Sequence, residues 1–399
     1  MHATFPASTR SAWRAMALMY LVFFALGLIG SMTGPLVPAL KALFALDFRA
    51  ALAAQWLVLL VIGAMAWPCS RLLHRIGVFR VLCLALALMA AGCLGVTLAA
   101  GFMQFAGVLL ALGLIGTGTT MLQVAGNPLT TALGSPERSH ARLALAQGFN
   151  SLGVLGGVHL GAALMLGDGA AARGVEQAYG LIALLALAAL AMFVAGRGAF
   201  PAATAEDTAP PSAALRSRWA WAGAFAIALY VGAEGAIGSI MINYLHQPQV
   251  LDLPLAEAGR ACANLYWGGA LVGRFAGSWL LTRIPASRLL ALMALLATVL
   301  CLIVATTHGA LAGYAALAIG LCNAIQFPTI FSLTLARSNA PSSAVSGLMC
   351  TAIAGGALIS IIVGELADRI GLAQAFWVPM LAYGLIAGFA LLRPRRNRG

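Results

Sequence analysis

One carboxylate in this sequence lies where apolar neighbours should keep water away. Glu234, in YVGAEGAIGS, falls near the middle of the apolar stretch 218–245, whereas the other acidic residues fall in loops or near the ends of such stretches. A charge at mid-bilayer depth costs on the order of 3 kcal/mol on insertion scales, so a group of this kind faces a bundle interior or a wet cavity. Two roles fit: a group that takes up and releases a coupling cation, or a structural carboxyl bonded to a neighbouring helix. Arg274, in YWGGALVGRFAGS, is the one basic residue clearly inside an apolar stretch. It can snorkel toward the cytoplasmic face, pair with Glu234, or line a solute path. His159 is either a proton-coupling group or a hydrogen-bonded packing residue.

Uncharged amides form a second set. Gln123 and Asn127 are one helical turn apart, Gln147 and Asn150 are three residues apart on one face, and Asn323 and Gln326 repeat that spacing. An amide carries donors and acceptors together, which suits a ring of hydroxyls. Phe149, Tyr266, Trp267 and Phe327 are aromatic neighbours able to cover the apolar face of a sugar. The alternative for each amide is inter-helix glue. The cysteines show no metal or redox spacing and read as small apolar filler.

These side chains need elements that hold them at bilayer depth. The chain has 399 residues, 62% hydrophobic and 9% charged, far too little charge to coat a soluble domain. Apolar runs of about 20 residues recur, each long enough to span a bilayer as a helix, and they lack the alternation of barrel strands. About twelve spans are expected, near 14–40, 50–73, 78–100, 104–132, 143–166, 177–196, 218–245, 258–282, 288–306, 310–336, 343–366 and 374–392. The first is read as a retained helix, not a cleaved signal.

The formal charge of +12 reflects how the arginines are placed. Arg10, Arg14, Arg71, Arg75, Arg80, Arg138, Arg142, Arg197, Arg216, Arg218, Arg283, Arg288, Arg337, Arg393, Arg395, Arg396 and Arg398 fall on one side. Lys41, Arg49, Arg173, Arg260 and Arg369 fall on the other. By the positive-inside rule the first side is cytoplasmic and holds both termini. The charge is therefore a topology signal and not a nucleic-acid patch.

Residues 197–217, RGAFPAATAEDTAPPSAALRS, read as a flexible cytoplasmic linker between bundles over 1–196 and 218–399. The two parts echo each other. SRLLHRI (70–76) resembles SWLLTRI (278–284), and GLIGTGTTMLQVAGNPLTTAL in the fourth span resembles GLCNAIQFPTIFSLTL in the tenth. Two six-helix bundles in parallel repeat are the major facilitator arrangement, with substrate bound near the midplane. Gly34-Pro35 and Pro38 are expected to bend the first helix, and Asn127-Pro128 and Phe327-Pro328 the fourth and tenth at matching places. Gly27/Gly30/Gly34 and Gly153/Gly156/Gly157/Gly161 make small faces for close helix approach.

The segment LQVAGNPLTTALGSPERSHARLALAQGFNSLG (122–153) resembles the Q-V-A-x-N-P…L-G…R-L-x-L-A-Q-x-F-N-S-x-G signature of the fucose/glucose–galactose permease branch of the major facilitator superfamily. GPLVPALK (34–41), YVGAEGAIGSIMINYL (230–245), YWGGALVGRFAGS (266–278), FPTIFSL (327–333) and AFWVP (375–379) match as well, so the resemblance covers nearly the whole chain. It implies cation-coupled uptake of a monosaccharide by alternating access, with Gln123, Asn127, Gln147 and Asn150 in or near the sugar site. Fucose-type members carry carboxylates on the first and fourth helices. Gly34 and Gln123 stand at those positions here, which looks more like the glucose/galactose type, with its seventh-helix Glu matched by Glu234. CSRLLHRIGVFR is a degenerate form of the superfamily's G-x-x-x-D-R-x-G-R loop, with His74 at the Asp position.

The expectation is thus an all-α membrane protein that imports a glucose- or galactose-like hexose. Its substrate-binding residues would be the six amides with Phe149 and Trp267, its cation site Glu234, and its gating or charge partners Arg274 and His159. The resemblance implies no cofactor beyond a coupling H+ or Na+, no metal and no nucleic-acid partner. It implies a functional monomer in a bacterial inner membrane, with sugar and lipid bilayer as partners. A drug or metabolite exporter of the same fold is the rival. A membrane enzyme would need clustered His, Asp or Ser near an interface, and the sequence has none.

Overall fold

The computed structural model describes residues 9–46, 48–165, 171–200 and 211–392. Linker residues 201–210, Arg393, Arg395, Arg396 and Arg398, and the side chains of Arg10 and Arg49, lie outside the described residues. Among the described residues every regular element is helical. Eleven helical runs among the described residues are long and apolar enough to cross a membrane.

The chain divides into two compact units. The first is built on α1 (Thr9–Ser31), α2 (Thr33–Phe44), α3 (Phe48–Ile76), α4 (Val78–Gly101), α5 (Phe105–Ala132), α6 (Ser139–Met165) and α7 (Ala171–Ala195). The second is built on α8 (Arg218–His246), α9 (Leu255–Ala261), α10 (Gly268–Leu280), α11 (Ala286–Thr306), α12 (Gly309–Asn323), α13 (Gln326–Arg337), α14 (Ser342–Ile370) and α15 (Trp377–Leu391). Two short pieces group with the opposite unit. His140–Leu145 of α6 belongs with the second, where His140 Nδ1 lies 2.7 Å from Ser332 Oγ. Pro341–Thr351 of α14 belongs with the first, where the Ser70 hydroxyl donates to the Ser343 carbonyl at 3.1 Å.

Local chemistry sets the helix ends. Gly77 closes α3 with φ 81, a left-handed conformation that costs glycine little, and its N–H returns to the Leu73 carbonyl at 3.0 Å. Ser217 caps α8, its hydroxyl accepting from Ala220 N–H at 3.2 Å. Arg337 donates to the last-turn carbonyls of α15, those of Phe389 and Ala390, at 3.0 Å each.

Small residues let backbones meet. A Cβ on Gly27 would strike the Asn150 carbonyl, and one on Gly153 would strike the Phe24 carbonyl, so α1 and α6 touch main chain to main chain. Gly30 and Gly34 do not share this role, because a Cβ on either would meet nothing within 4 Å. Gly153→Val is expected to destabilise the protein by about 1–3 kcal/mol through overpacking, while Gly30→Val stays near the parent. Thermal unfolding in detergent, followed by tryptophan fluorescence, compares the two; equal melting of both variants would contradict the packing assignment.

Three spans are interrupted. The first breaks at Met32, where Pro35 cannot donate to the helix it enters. The eighth consists of α9, a π-helical segment Cys262–Trp267, and α10, which is why no single long helix marks it. The tenth breaks at Ala324–Ile325, between α12 and α13. The fourth span differs in continuity from the tenth: α5 runs unbroken through Pro128. At the break in the tenth span, Tyr230 donates to the Asn323 carbonyl and Arg274 to that of Ala324.

Candidate functional site

In the first unit, α5 and α6 carry the amides. Asn127 is fully buried, and its Oδ1 accepts from Gln147 Nε2 across the two helices at 3.4 Å. Its Nδ2 is buried without a hydrogen-bond partner. A buried donor left unmatched is costly unless a ligand group meets it. Gln123 is half-buried one turn before Asn127. Asn150 instead donates to the Phe23 carbonyl at 3.2 Å, at the close approach of α1 and α6, which is the glue role. Phe149 stacks on Tyr20 of α1, with centroids 4.9 Å apart and planes 11° apart. The pair makes a flat apolar surface of the kind that covers a sugar ring. His159 is exposed, and its Nδ1 donates to the Leu155 carbonyl of its own helix at 2.9 Å, away from the amides in sequence and partner.

In the second unit, Asn323 is the hub of a buried network. Its Oδ1 accepts from the Tyr383 hydroxyl at 2.7 Å and makes a longer contact with Gln326 Nε2 at 3.5 Å. Its Nδ2 donates to the Tyr266 hydroxyl at 3.0 Å, and that hydroxyl donates on to the Glu234 main-chain carbonyl at 3.2 Å. The Tyr230 hydroxyl donates to the Asn323 carbonyl at 3.1 Å. Asn323 is therefore occupied by protein on every side, whereas Gln326 keeps a buried Oε1 without a partner, as does the Thr329 hydroxyl one turn on. Trp267 is 46% exposed and packs edge-on against Tyr266 at 5.0 Å. Phe327 lies at a tilt to Tyr230, 6.3 Å between centroids.

Glu234 has two polar groups acting on it. Tyr230, one turn earlier on α8 and donating to the Asn323 carbonyl, lies beside its carboxyl, and the charge acting on it is that of Arg274. Arg274 thus lies within electrostatic reach of Glu234. Its Nε also donates to the Ala324 carbonyl at 3.2 Å.

Sequence reasoning missed Tyr20, Tyr230, Tyr383 and Thr329. A signal existed for two of them: a tyrosine inside an apolar span has a hydroxyl that must find a partner, and Tyr230 and Tyr383 both do. Tyr20 sits among Phe23 and Phe24 with nothing in the sequence to separate it from them. Among the described residues no cluster could hold a metal ion.

A helical chain that buries its polar groups at bilayer depth, in two compact units, has the build of a membrane transporter. The chain belongs to the Major Facilitator Superfamily, whose sequence profile matches residues 19–349, and so it is a multi-pass transport protein and not an enzyme. Within that superfamily it falls with the fucose/glucose–galactose permeases. It is 37% identical over 390 residues to the "Glucose/galactose transporter" of Brucella abortus biovar 1 (strain 9-941), across 95% of this chain and 93% of that one. It is 31% identical over 333 residues to the "L-fucose-proton symporter" of Escherichia coli (strain K12), across 74% of each. The crystal structure of the transporter FucP in the outward conformation matches with a TM-score of 0.84 and 26% identity, over 96% of this chain and 99% of that one.

Proposed function

We propose that this protein imports a monosaccharide, a hexose of the glucose or galactose type, by cation symport with alternating access. The observation that carries the reading is Asn127: a fully buried amide held by Gln147, with a donor that nothing among the described residues satisfies. A sugar hydroxyl is the neutral group that fits such a donor, and the named activities of the relatives agree with it. In this reading Gln123, Asn127, Gln147 and Gln326 meet hydroxyls, the Tyr20–Phe149 pair covers a ring face, and Asn150 and Asn323 hold the site's walls. Trp267 contributes an apolar edge.

Because Gly34 and Gln123 replace the fucose-type carboxylates, Glu234 is the coupling group, loaded by H+ or Na+ from the outside. Arg274 is its charge partner, and His159 has no part in coupling. The protein works as a monomer in a bacterial inner membrane with both termini cytoplasmic. The exporter alternative predicts few buried amides, and Asn127, Gln147, Asn323 and Gln326 are all buried. Uptake of labelled hexoses into proteoliposomes, driven by a pH gradient and then by a sodium gradient, tests the proposal. Accumulation of glucose or galactose under one gradient is expected; no hexose accumulated under either would reject it.

A further inference from the structure

Two oxygens one turn apart on α13, Gln326 Oε1 and the Thr329 hydroxyl, are buried with no hydrogen-bond partner among the described residues. Hydroxyls further along the same helix behave otherwise. Those of Ser332 and Thr334 donate to the carbonyls four residues earlier, those of Pro328 and Ile330, at 2.7 Å each. That back-bond is the ordinary resort of a hydroxyl inside a helix. For Thr329 the matching carbonyl is that of Ile325, which takes the Thr329 N–H at 3.0 Å but not its hydroxyl. The Gln326 amide is held by its other end. Its Nε2 donates to the Cys322 carbonyl at 3.2 Å and contacts Asn323 Oδ1 at 3.5 Å, so the free end is the oxygen. Leaving two polar atoms buried and unmatched is a cost that apolar side chains of the same shape would avoid.

From this pairing we infer that Thr329 is a specificity-determining residue, which together with Gln326 grips a single hydroxyl of the sugar. The inference rests on the reading of the protein as a hexose transporter. Residues three apart on a helix have Cβ atoms about 5–6 Å apart. One hydroxyl bonded on both sides, at about 2.8 Å each, bridges roughly 5 Å. It supplies what both atoms lack. Its proton goes to Gln326 Oε1, which can only accept, and its lone pair takes the Thr329 proton. A hard cation takes about six oxygen ligands, commonly with carboxylates among them, whereas this pair offers two neutral oxygens. Gln326 and Thr329 have no accessible surface in this structure, so the matching hydroxyl is one the protein closes around. A site built to bond a hydroxyl rejects the analogue lacking it, because its own buried groups are then left unpaired.

The test measures equilibrium binding of D-glucose and D-galactose, each with its full set of monodeoxy analogues, to the purified full chain. Equilibrium binding samples every conformation open to the loaded protein. Thr329→Val is expected to raise Kd for the preferred hexose on the order of tenfold, the loss of one neutral hydrogen bond. It is expected to weaken each monodeoxy analogue by the same factor except one. That one lacks the gripped hydroxyl, and parent and variant bind it alike. Gln326→Leu is expected to spare the same analogue, because both atoms meet one hydroxyl. Thr329→Ser returns the hydroxyl and with it the discrimination. Without sugar, Thr329→Val is expected to melt at or above the parent temperature, since it removes an unmatched buried atom, so weaker binding cannot be laid to a damaged fold. Parent-like Kd values for every sugar in Thr329→Val, one common factor for all of them, or a different spared analogue in Gln326→Leu would overturn the inference. A changed sodium dependence with the sugar pattern intact would overturn it in favour of a cation site. Binding that shows the expected pattern without accumulation in proteoliposomes rejects the symport reading alone. Accumulation by the parent with no analogue spared by Thr329→Val rejects the subsite alone.

Discussion

Glu234→Gln is expected to leave hexose exchange across the membrane near the parent rate while abolishing accumulation. The substitution keeps size, but it removes the charge that Arg274 acts on and, among the described residues, the acid that lies in the electrostatic reach of Tyr230, Tyr266 and Tyr383. Moving one elementary charge through a potential of 100 mV is worth about 2.3 kcal/mol, which sustains an accumulation ratio on the order of 50-fold for one coupled cation. Without a group to carry the cation, that driving force cannot reach the sugar, and internal and external concentrations become equal. Counterflow, in which unlabelled sugar inside draws labelled sugar in, needs no net cation movement and reports that the site still works. If the variant concentrates hexose as the parent does, the coupling assignment to Glu234 fails.

Asn127→Ala carries the second large effect. The alanine removes the unmatched donor offered to the sugar and leaves the Gln147 amide, 3.4 Å away, without its acceptor. Two neutral hydrogen bonds at about 1 kcal/mol each come to about 2 kcal/mol, or a rise in KM on the order of 30-fold. Gln147→Ala should cost less, because Asn127 keeps its donor for the sugar. The double variant should cost less than the sum, since the two residues share one bond. Transport kinetics in proteoliposomes with the preferred hexose give all three values. A parent-like KM in Asn127→Ala would return the residue to packing, whatever its effect on melting temperature.

Much of this protein follows from composition and period alone. Long apolar runs, arginines gathered on one side and a Pro/Ala/Ser-rich stretch at 197–217 specify a helical membrane chain, because lipid leaves the backbone no partner but itself. The same logic isolates Glu234 and Arg274: a charge in hydrocarbon is so costly that its mere presence marks a buried role. The amide pairs on the fourth and fifth spans are legible from helical spacing.

Their fates were not legible. Asn127 and Asn150 look alike in sequence, yet one keeps a free donor and the other is tied to the Phe23 carbonyl. Asn323 and Gln326 share a turn, yet one is satisfied throughout and the other retains an unmatched oxygen. Pro128 and Pro328 follow similar motifs, but only the tenth span breaks, where Tyr230 and Arg274 reach it from other helices. The π-helical segment at Cys262–Trp267 has no proline to announce it. Spacing along one helix determines which residues share a face. Whether a polar atom on that face is matched or left open depends on side chains tens or hundreds of residues away, and only the packed tertiary structure decides which of them arrive.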